Sequence, residues 1–447
     1  MAIIVPDAVG ILALPAQAVA EGQGRGGCQV DTCTRALRAS LLAASLALAA
    51  CGGGGGGSAP ASTSTSTSIS TPSSGTTPPP ANANQIQVTV EQNPDITSYI
   101  TANSPYVDVK VCNAAGSCVT VHHVLVDTGS YGLRLFDSAL GGVSLSPMLS
   151  VGATPEPVGE CASFVSSALW GAVRMASVSI GGNTTTTQIP IQVVGDTTFP
   201  ASTTPLAGAG SGGAVCGNAS TSASAQQFGA NGVLGVGLFA QDGQSYYACS
   251  PSACTPTTPP SQVLNPVAAL PSDNNGVILT LPAVSSVQST VSGTLTLGID
   301  TQADNTLTGY TILPATALTS LSPGNITVTM NGGTYAQSYI DSGSNANFLV
   351  LPSSVPVDTT GFYAPASPQT YSPVVLSSGV ASYSASVTVA ASGTQPIGVA
   401  VFPDLAAPSS ASATQDLGLP FFYGRSIAYA IDGASTAHGN GPYYAVH

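Results

Sequence analysis

Charge is what this 447-residue chain has least of: Asp, Glu, Lys and Arg together make up 6% of it. Cations are scarcest, with seven Lys and Arg against 20 Asp and Glu, for a formal net charge of −13. So few positive groups leave no footprint for phosphate backbones, which excludes nucleic acid as a partner. There are only four His, and no Cys-x-x-Cys pair occurs, so no metal site is expected. The G-x-S-x-G, H-E-x-x-H and phosphate-loop patterns are missing, which removes support for serine hydrolase, zinc protease and nucleotide chemistry. Beyond the N-terminal region no apolar run approaches the roughly 18 residues of a membrane-spanning helix. What the chain has instead is Gly (50), Pro (34) and many β-branched residues. That composition predicts an all-β fold of short strands and frequent turns.

The first fifth of the chain reads as targeting rather than fold. Arg35 and Arg38 precede an apolar run from Leu41 to Ala50, which closes as Leu48-Ala49-Ala50-Cys51. A basic segment, a short apolar core and small residues before a Cys describe an export signal, and the last four residues resemble the bacterial lipobox. That resemblance implies diacylation of Cys51 and cleavage before it. Residues 1–34 sit oddly upstream of such a signal, as if translation started later, with Val30 as a candidate start. From Gly52 a glycine run and Ser/Thr/Pro repeats follow, and residues 52–85 are expected to form a disordered tether with a reach of roughly 30 Å. Gly52 lacks the Asp that retains lipoproteins in the inner membrane of enteric-type bacteria, so the resemblance implies an outer-membrane anchor.

Three acids (Asp7, Glu21, Asp31) and three bases (Arg25, Arg35, Arg38) precede Cys51, so the rest of the chain has 17 acids and four bases and still a net −13. Its cations are Lys110, Arg134, Arg174 and Arg425. Such a chain gains little positive charge on acidification, which suits an acidic compartment. Six of the nine Cys lie beyond Cys51, an even number that in an exported chain reads as disulfides. Several connectivities are open; the short loops favour Cys112–Cys118 and Cys249–Cys254, leaving Cys161–Cys216.

An internal repeat carries the chemistry. Tyr106-Val-Asp-Val-Lys-Val111, a turn and a second apolar strand lead into Asp127-Thr128-Gly129-Ser130. Ile326-Thr-Val-Thr-Met330, a turn and a second strand lead into Asp341-Ser342-Gly343-Ser344. A single Asp-[Ser/Thr]-Gly-Ser means little in so Ser- and Gly-rich a chain; two, each ending an apolar strand after a hairpin, are a pattern. Two apolar segments with embedded glycines follow, Gly232-Val-Leu-Gly235 and Leu417-Gly418 through Gly424, each fit for close passage of another backbone.

These segments, with Ser292 to Asp300 and the Leu417–Asp432 ending, resemble pepsin-like aspartic proteases. That resemblance implies a bilobal double β-barrel made by duplication, with lobes at 86–300 and 301–447 and the cleft between them. The lipobox, tether and Leu417–Arg425 ending also resemble an uncharacterised family of proteobacterial lipoproteins. By the protease resemblance, Asp127 and Asp341 form a catalytic dyad, with one ionised Asp activating water while its protonated partner bonds the scissile carbonyl. Thr128 and Ser342 would hold the two loops together, Gly129 and Gly343 would permit the tight turns, and Ser130 and Ser344 would donate to the outer carboxylate oxygens. Phe164 falls where the family presents a flap Tyr, and Trp170 is the candidate for a replacement N–H donor. His122 and His123 alternate along the strand before Asp127 and read as structural, and His438 has no evident nucleophile partner. The expected function is an exported, lipid-anchored aspartic endopeptidase with an acid optimum, acting on peptides or unfolded protein without metal or organic cofactor. The alternative is a pepsin-like peptide-binding or envelope scaffold protein without turnover.

Overall fold

A computed structural model describes residues 83–96, 101–165, 167–206, 215–216, 221–222, 224–318, 323–391 and 398–447. The leader, Cys51 and nearly all of the tether lie outside the described residues. The tether boundary expected at residue 85 is too late. Asn84 is fully buried and its amide donates to Leu297 O at 3.3 Å, so the fold begins before the first strand, Gln85–Glu91.

Period-2 patterning makes the strands. In Gln85–Glu91 the alternate residues Ile86, Val88 and Val90 are buried, and Ile326, Val328 and Met330 do the same in Ile326–Met330. The latter strand turns into Gly333–Ile340 through Asn331-Gly332, both at positive φ (53° and 75°), the pair that a two-residue hairpin turn favours.

A barrel, a seven-stranded sheet and a platform position the site, the barrel and the platform joined through Gln85–Glu91 and Pro105–Cys112. In the first lobe the strands Pro105–Cys112, Cys118–Asp127, Gly232–Val236, Tyr131–Phe136, Ile189–Val194 and Ala168–Ile180 pair in that order. The last pairs back onto the first, which closes a six-stranded barrel. In the second lobe a seven-stranded sheet runs Ser382–Val389, Gln369–Ser377, Ile326–Met330, Gly333–Ile340, Asp416–Leu417, Asn347–Leu349, Ala406–Pro408. An antiparallel platform of six strands, Gln85–Glu91, Thr290–Leu297, Gly276–Leu281, Arg425–Ala430, Tyr443–Val446 and Thr311–Pro314, draws on both halves of the chain. One apolar core runs through all three. The result is all-β and two-lobed, as the pepsin-like resemblance implies, with a closed barrel in the first lobe and a seven-stranded sheet in the second.

The same local device occurs in each lobe. Gly232–Val236 lies parallel to the strand ending at Asp127 and antiparallel to Tyr131–Phe136, with Gly235 opposite both Asp127 and Gly132. Asp416–Leu417 lies parallel to Gly333–Ile340 and antiparallel to Asn347–Leu349. The crossings are too close for a side chain: a Cβ on Gly418 would stand 2.0 Å from Ala346 O and 2.6 Å from Ser344 O. Backbone atoms cannot yield as a flexible side chain can, so Gly418→Ala is expected to destabilise the fold by about 3 kcal/mol. Thermal unfolding of the variant beside the parent checks it.

Candidate active site

Each strand-turn unit delivers an aspartate to the end of its strand, and the two meet across the lobe boundary. Asp127 and Asp341 are both fully buried. Each sits over the other loop's glycine: a Cβ on Gly129 would come within 2.5 Å of the Asp341 carboxyl carbon, and one on Gly343 within 2.6 Å of Asp127 Oδ1. Any larger residue would occupy the space where the carboxyls face one another. The charge of Asp127 bears directly on Asp341.

The loops are tied by reciprocal backbone-to-hydroxyl bonds. Ser342 N donates to Thr128 Oγ1 at 2.9 Å, and Thr128 N donates to Ser342 Oγ at 3.2 Å. Ser342 Oγ in turn donates to Val126 O at 2.8 Å. Within each loop the carboxylate is held from its own turn. Asp127 Oδ1 accepts from Gly129 N at 2.8 Å and Ser130 N at 3.2 Å, and its Oδ2 accepts from Ser130 Oγ. Asp341 Oδ1 accepts from Gly343 N at 2.7 Å and Oδ2 from Ser344 Oγ at 2.9 Å. The structure thus brings together the eight residues of the two tetrapeptides.

Electrostatics separate the two acids. Burial pushes Asp127 up to about 6, opposed by its bonds from Ser130, Asp341 and Gly129 and by the charge of Arg134. Burial raises Asp341 further, well above the carboxylate range, and the charges of Asp127 and Asp416 add to it. Two carboxyls in contact in a dry site cannot both ionise. Of the two, Asp127, which accepts the most bonds, releases its proton first, and Asp341 keeps one to higher pH.

The flap candidates fare differently. Val158–Ser163 and Ala168–Ile180 form a hairpin with Phe164 at its tip. Phe164 is buried among Tyr106, Leu125, Phe136 and Leu169, with the Arg134 guanidinium 5.8 Å from its ring centre. Trp170 does not supply an N–H to the dyad: its indole donates to Pro200 O at 2.7 Å and its ring packs on Phe199 and Tyr247. The three disulfides are Cys112–Cys118, Cys161–Cys216 and Cys249–Cys254. His123 Nε2 lies 3.2 Å from Glu91 and His122 Nδ1 lies 2.9 Å from Asp108, while His438 stands 3.7 Å from Asp300. Among the described residues no group of three or more His, Cys, Asp or Glu could hold a metal ion, and no helix is long and apolar enough to cross a membrane.

Two features escaped the sequence reading. Fully buried Arg134 donates through Nη2 to Glu160 at 2.7 Å and Asp242 at 2.6 Å, which ties the hairpin to the strand after Asp127. Asp416, 2% exposed, has its Oδ2 2.6 Å from Ser344 Oγ. The signal for Asp416 was an acid directly before the apolar Leu417–Gly424 segment, two residues before Gly418; Arg134 and its partners are far apart in sequence and gave none.

Fold and site together define a two-lobed, pepsin-like β-protein with paired aspartates. The chain belongs to the family described as "Protein of unknown function (DUF3443)", whose model matches residues 80–446. A comparison with curated proteins finds no match. Among solved structures there is a weak resemblance to the aspartic proteinase from Irpex lacteus, 13% identical, covering 81% of this chain and 96% of that one with a TM-score of 0.42.

The raised acids fix how stability depends on pH. Free carboxyls ionise near about pH 4. Between that pH and the raised values of Asp127, Asp341, Asp416 and Glu160, the folded chain holds protons that the unfolded chain has released. Stability therefore falls as pH rises, by about 1.4 kcal/mol per pH unit for each such group. Thermal melts across pH 4–7 should show the midpoint highest at the acid end, with a flatter profile for Asp341→Asn; a midpoint that climbs toward neutrality contradicts the assignment.

Proposed function

We propose that this domain is an aspartic endopeptidase working in acid, with Asp127 and Asp341 as its dyad. The observation that carries the reading is the burial of these two carboxyls, each over the other loop's glycine, with Asp127 the first to release its proton and Asp341 the later. That is the proton inventory peptide hydrolysis needs. Asp127 takes a proton from a water as its oxygen bonds to the scissile carbon, while Asp341 donates to the carbonyl oxygen. The proton gained by Asp127 then passes to the leaving nitrogen as the C–N bond breaks, and a hydroxyl of the tetrahedral intermediate returns a proton to Asp341. The substrate class is extended peptide or unfolded protein.

We further propose that Cys51 is lipidated and that the domain hangs from the outer membrane on the Gly/Ser/Thr/Pro tether. Cys51→Ala should move the protein from the membrane fraction to the soluble fraction; retention in the membrane argues against the anchor.

A second reading keeps the fold without turnover, as a peptide-binding or scaffold protein. Phe164 lacks a hydroxyl, and the Trp170 N–H is committed to Pro200, so neither candidate offers the flap's hydrogen bond. One experiment separates the two. Residues 80–447, with disulfides formed, are assayed on a denatured protein from pH 3 to 7, with and without pepstatin, beside Asp127→Asn and Asp341→Asn. The endopeptidase reading expects acid-dependent cleavage that falls by about 10²-fold or more in each variant. Saturable peptide binding with no cleavage at any pH leaves the binder.

A further inference from the structure

Asp416 stands where the first lobe has a valine. Leu125 and Val233 face each other two residues before Asp127 and Gly235; Tyr339 and Asp416 occupy the matching register before Asp341 and Gly418. Val233 is fully buried in an apolar cluster. Asp416 is equally enclosed, yet among the described residues its side chain's only hydrogen-bond contact is Ser344 Oγ, and its Oδ1 is buried with no partner. The lobes are therefore unlike at one place beside the dyad.

Ser344 Oγ touches two carboxyls, Asp416 Oδ2 at 2.6 Å and Asp341 Oδ2 at 2.9 Å. A hydroxyl has one proton and can donate to only one of them. For both contacts to be hydrogen bonds, one carboxyl must donate to Ser344. Asp416 is the one without an alternative. The charged and titratable groups that interact with it are Asp127, Asp341, Tyr339 and Tyr444, none of them a cation.

Resting on the dyad reading above, we propose that Asp416 is a positioning residue. As a neutral carboxylic acid it donates to Ser344, turns that hydroxyl onto Asp341 Oδ2, and so keeps the proton of the pair on the side facing Asp127. When Asp416 ionises, Ser344 must donate to it instead. The contact to Asp341 then survives as a hydrogen bond only if Asp341's proton moves to Oδ2, away from Asp127. A second charge inside the Asp127–Asp341 pair would touch the first, whereas one on Asp416 is set apart from it by the Ser344 hydroxyl. Asp416 therefore releases its proton before the pair loses the one it shares, and it sets the upper pH limit of the working state.

The test uses Asp416→Asn, whose amide donates to Ser344 at every pH, and Asp416→Val, which copies Val233. The readout is the alkaline limb of kcat/KM for each protein, normalised to its own maximum. Both limbs should move upward by on the order of one pH unit, because one route of proton loss has been removed. Limbs that stay in place or move down overturn the proposal, since a purely structural Asp416 would scale the rate without moving the profile. A second readout needs no activity: the infrared difference between parent and Asp416→Asn at pH 5. A protonated-carboxyl C=O band in the parent supports the proposal, and a carboxylate band overturns it. Should the parent cleave nothing from pH 3 to 7, the endopeptidase reading fails while the infrared result still decides the state of Asp416.

Discussion

Everything at this site depends on two carboxyl groups buried side by side. Each lobe supplies one, at the end of a strand, over a glycine of the opposite loop that leaves room for it. The Thr128–Ser342 bonds hold the loops in register across the lobe boundary. Burial and bonding then do the chemical sorting: the acid with more donors releases its proton first and its partner keeps one to higher pH. The barrel, the second-lobe sheet and the platform below serve to bring these loops together.

The same burial gives the molecule its acid character. Asp341, Asp416 and Glu160 are enclosed and held well above the carboxylate range, first by desolvation. For Glu160 the Arg134 charge opposes the shift while Asp242 adds to it, since one guanidinium serves both acids. For Asp416 no cation offsets it. A chain with four basic residues after Cys51 has little with which to neutralise buried acids. Scarce charge and raised carboxyls thus have one consequence, a fold that is most at ease when its acids are protonated.

How much of this could be read in advance follows from where each signal resides. The strand-hairpin-Asp units were legible because alternation, turns and the tetrapeptides are local patterns, and the repeat made each copy evidence for the other. Short loops made Cys112–Cys118 and Cys249–Cys254 the natural pairs; Cys161–Cys216 followed only by remainder. The Arg134 cluster was out of reach because Arg134, Glu160 and Asp242 converge only once the barrel closes. Asp416 was overlooked for a different reason: it follows the polar Thr414-Gln415 and stands just outside the apolar Leu417–Gly424 segment, and the Ser344 contact exists only where its strand crosses the second loop. Trp170 was misjudged because an indole N–H can find a partner on either side of a hairpin, and Pro200 comes from a loop that sequence could not place.

The central claim is that the two aspartates form one titrating pair, and it can be tested without any substrate. Carboxyl-labelled aspartate can be followed by 13C NMR through a pH titration of the parent protein and of Asp127→Asn. Because the Asp127 charge helps to hold Asp341 above the usual range, the account predicts that the Asp341 titration moves to lower pH when that charge is removed. An Asp341 signal that titrates at the same pH in both proteins would mean that the carboxyls do not share a site.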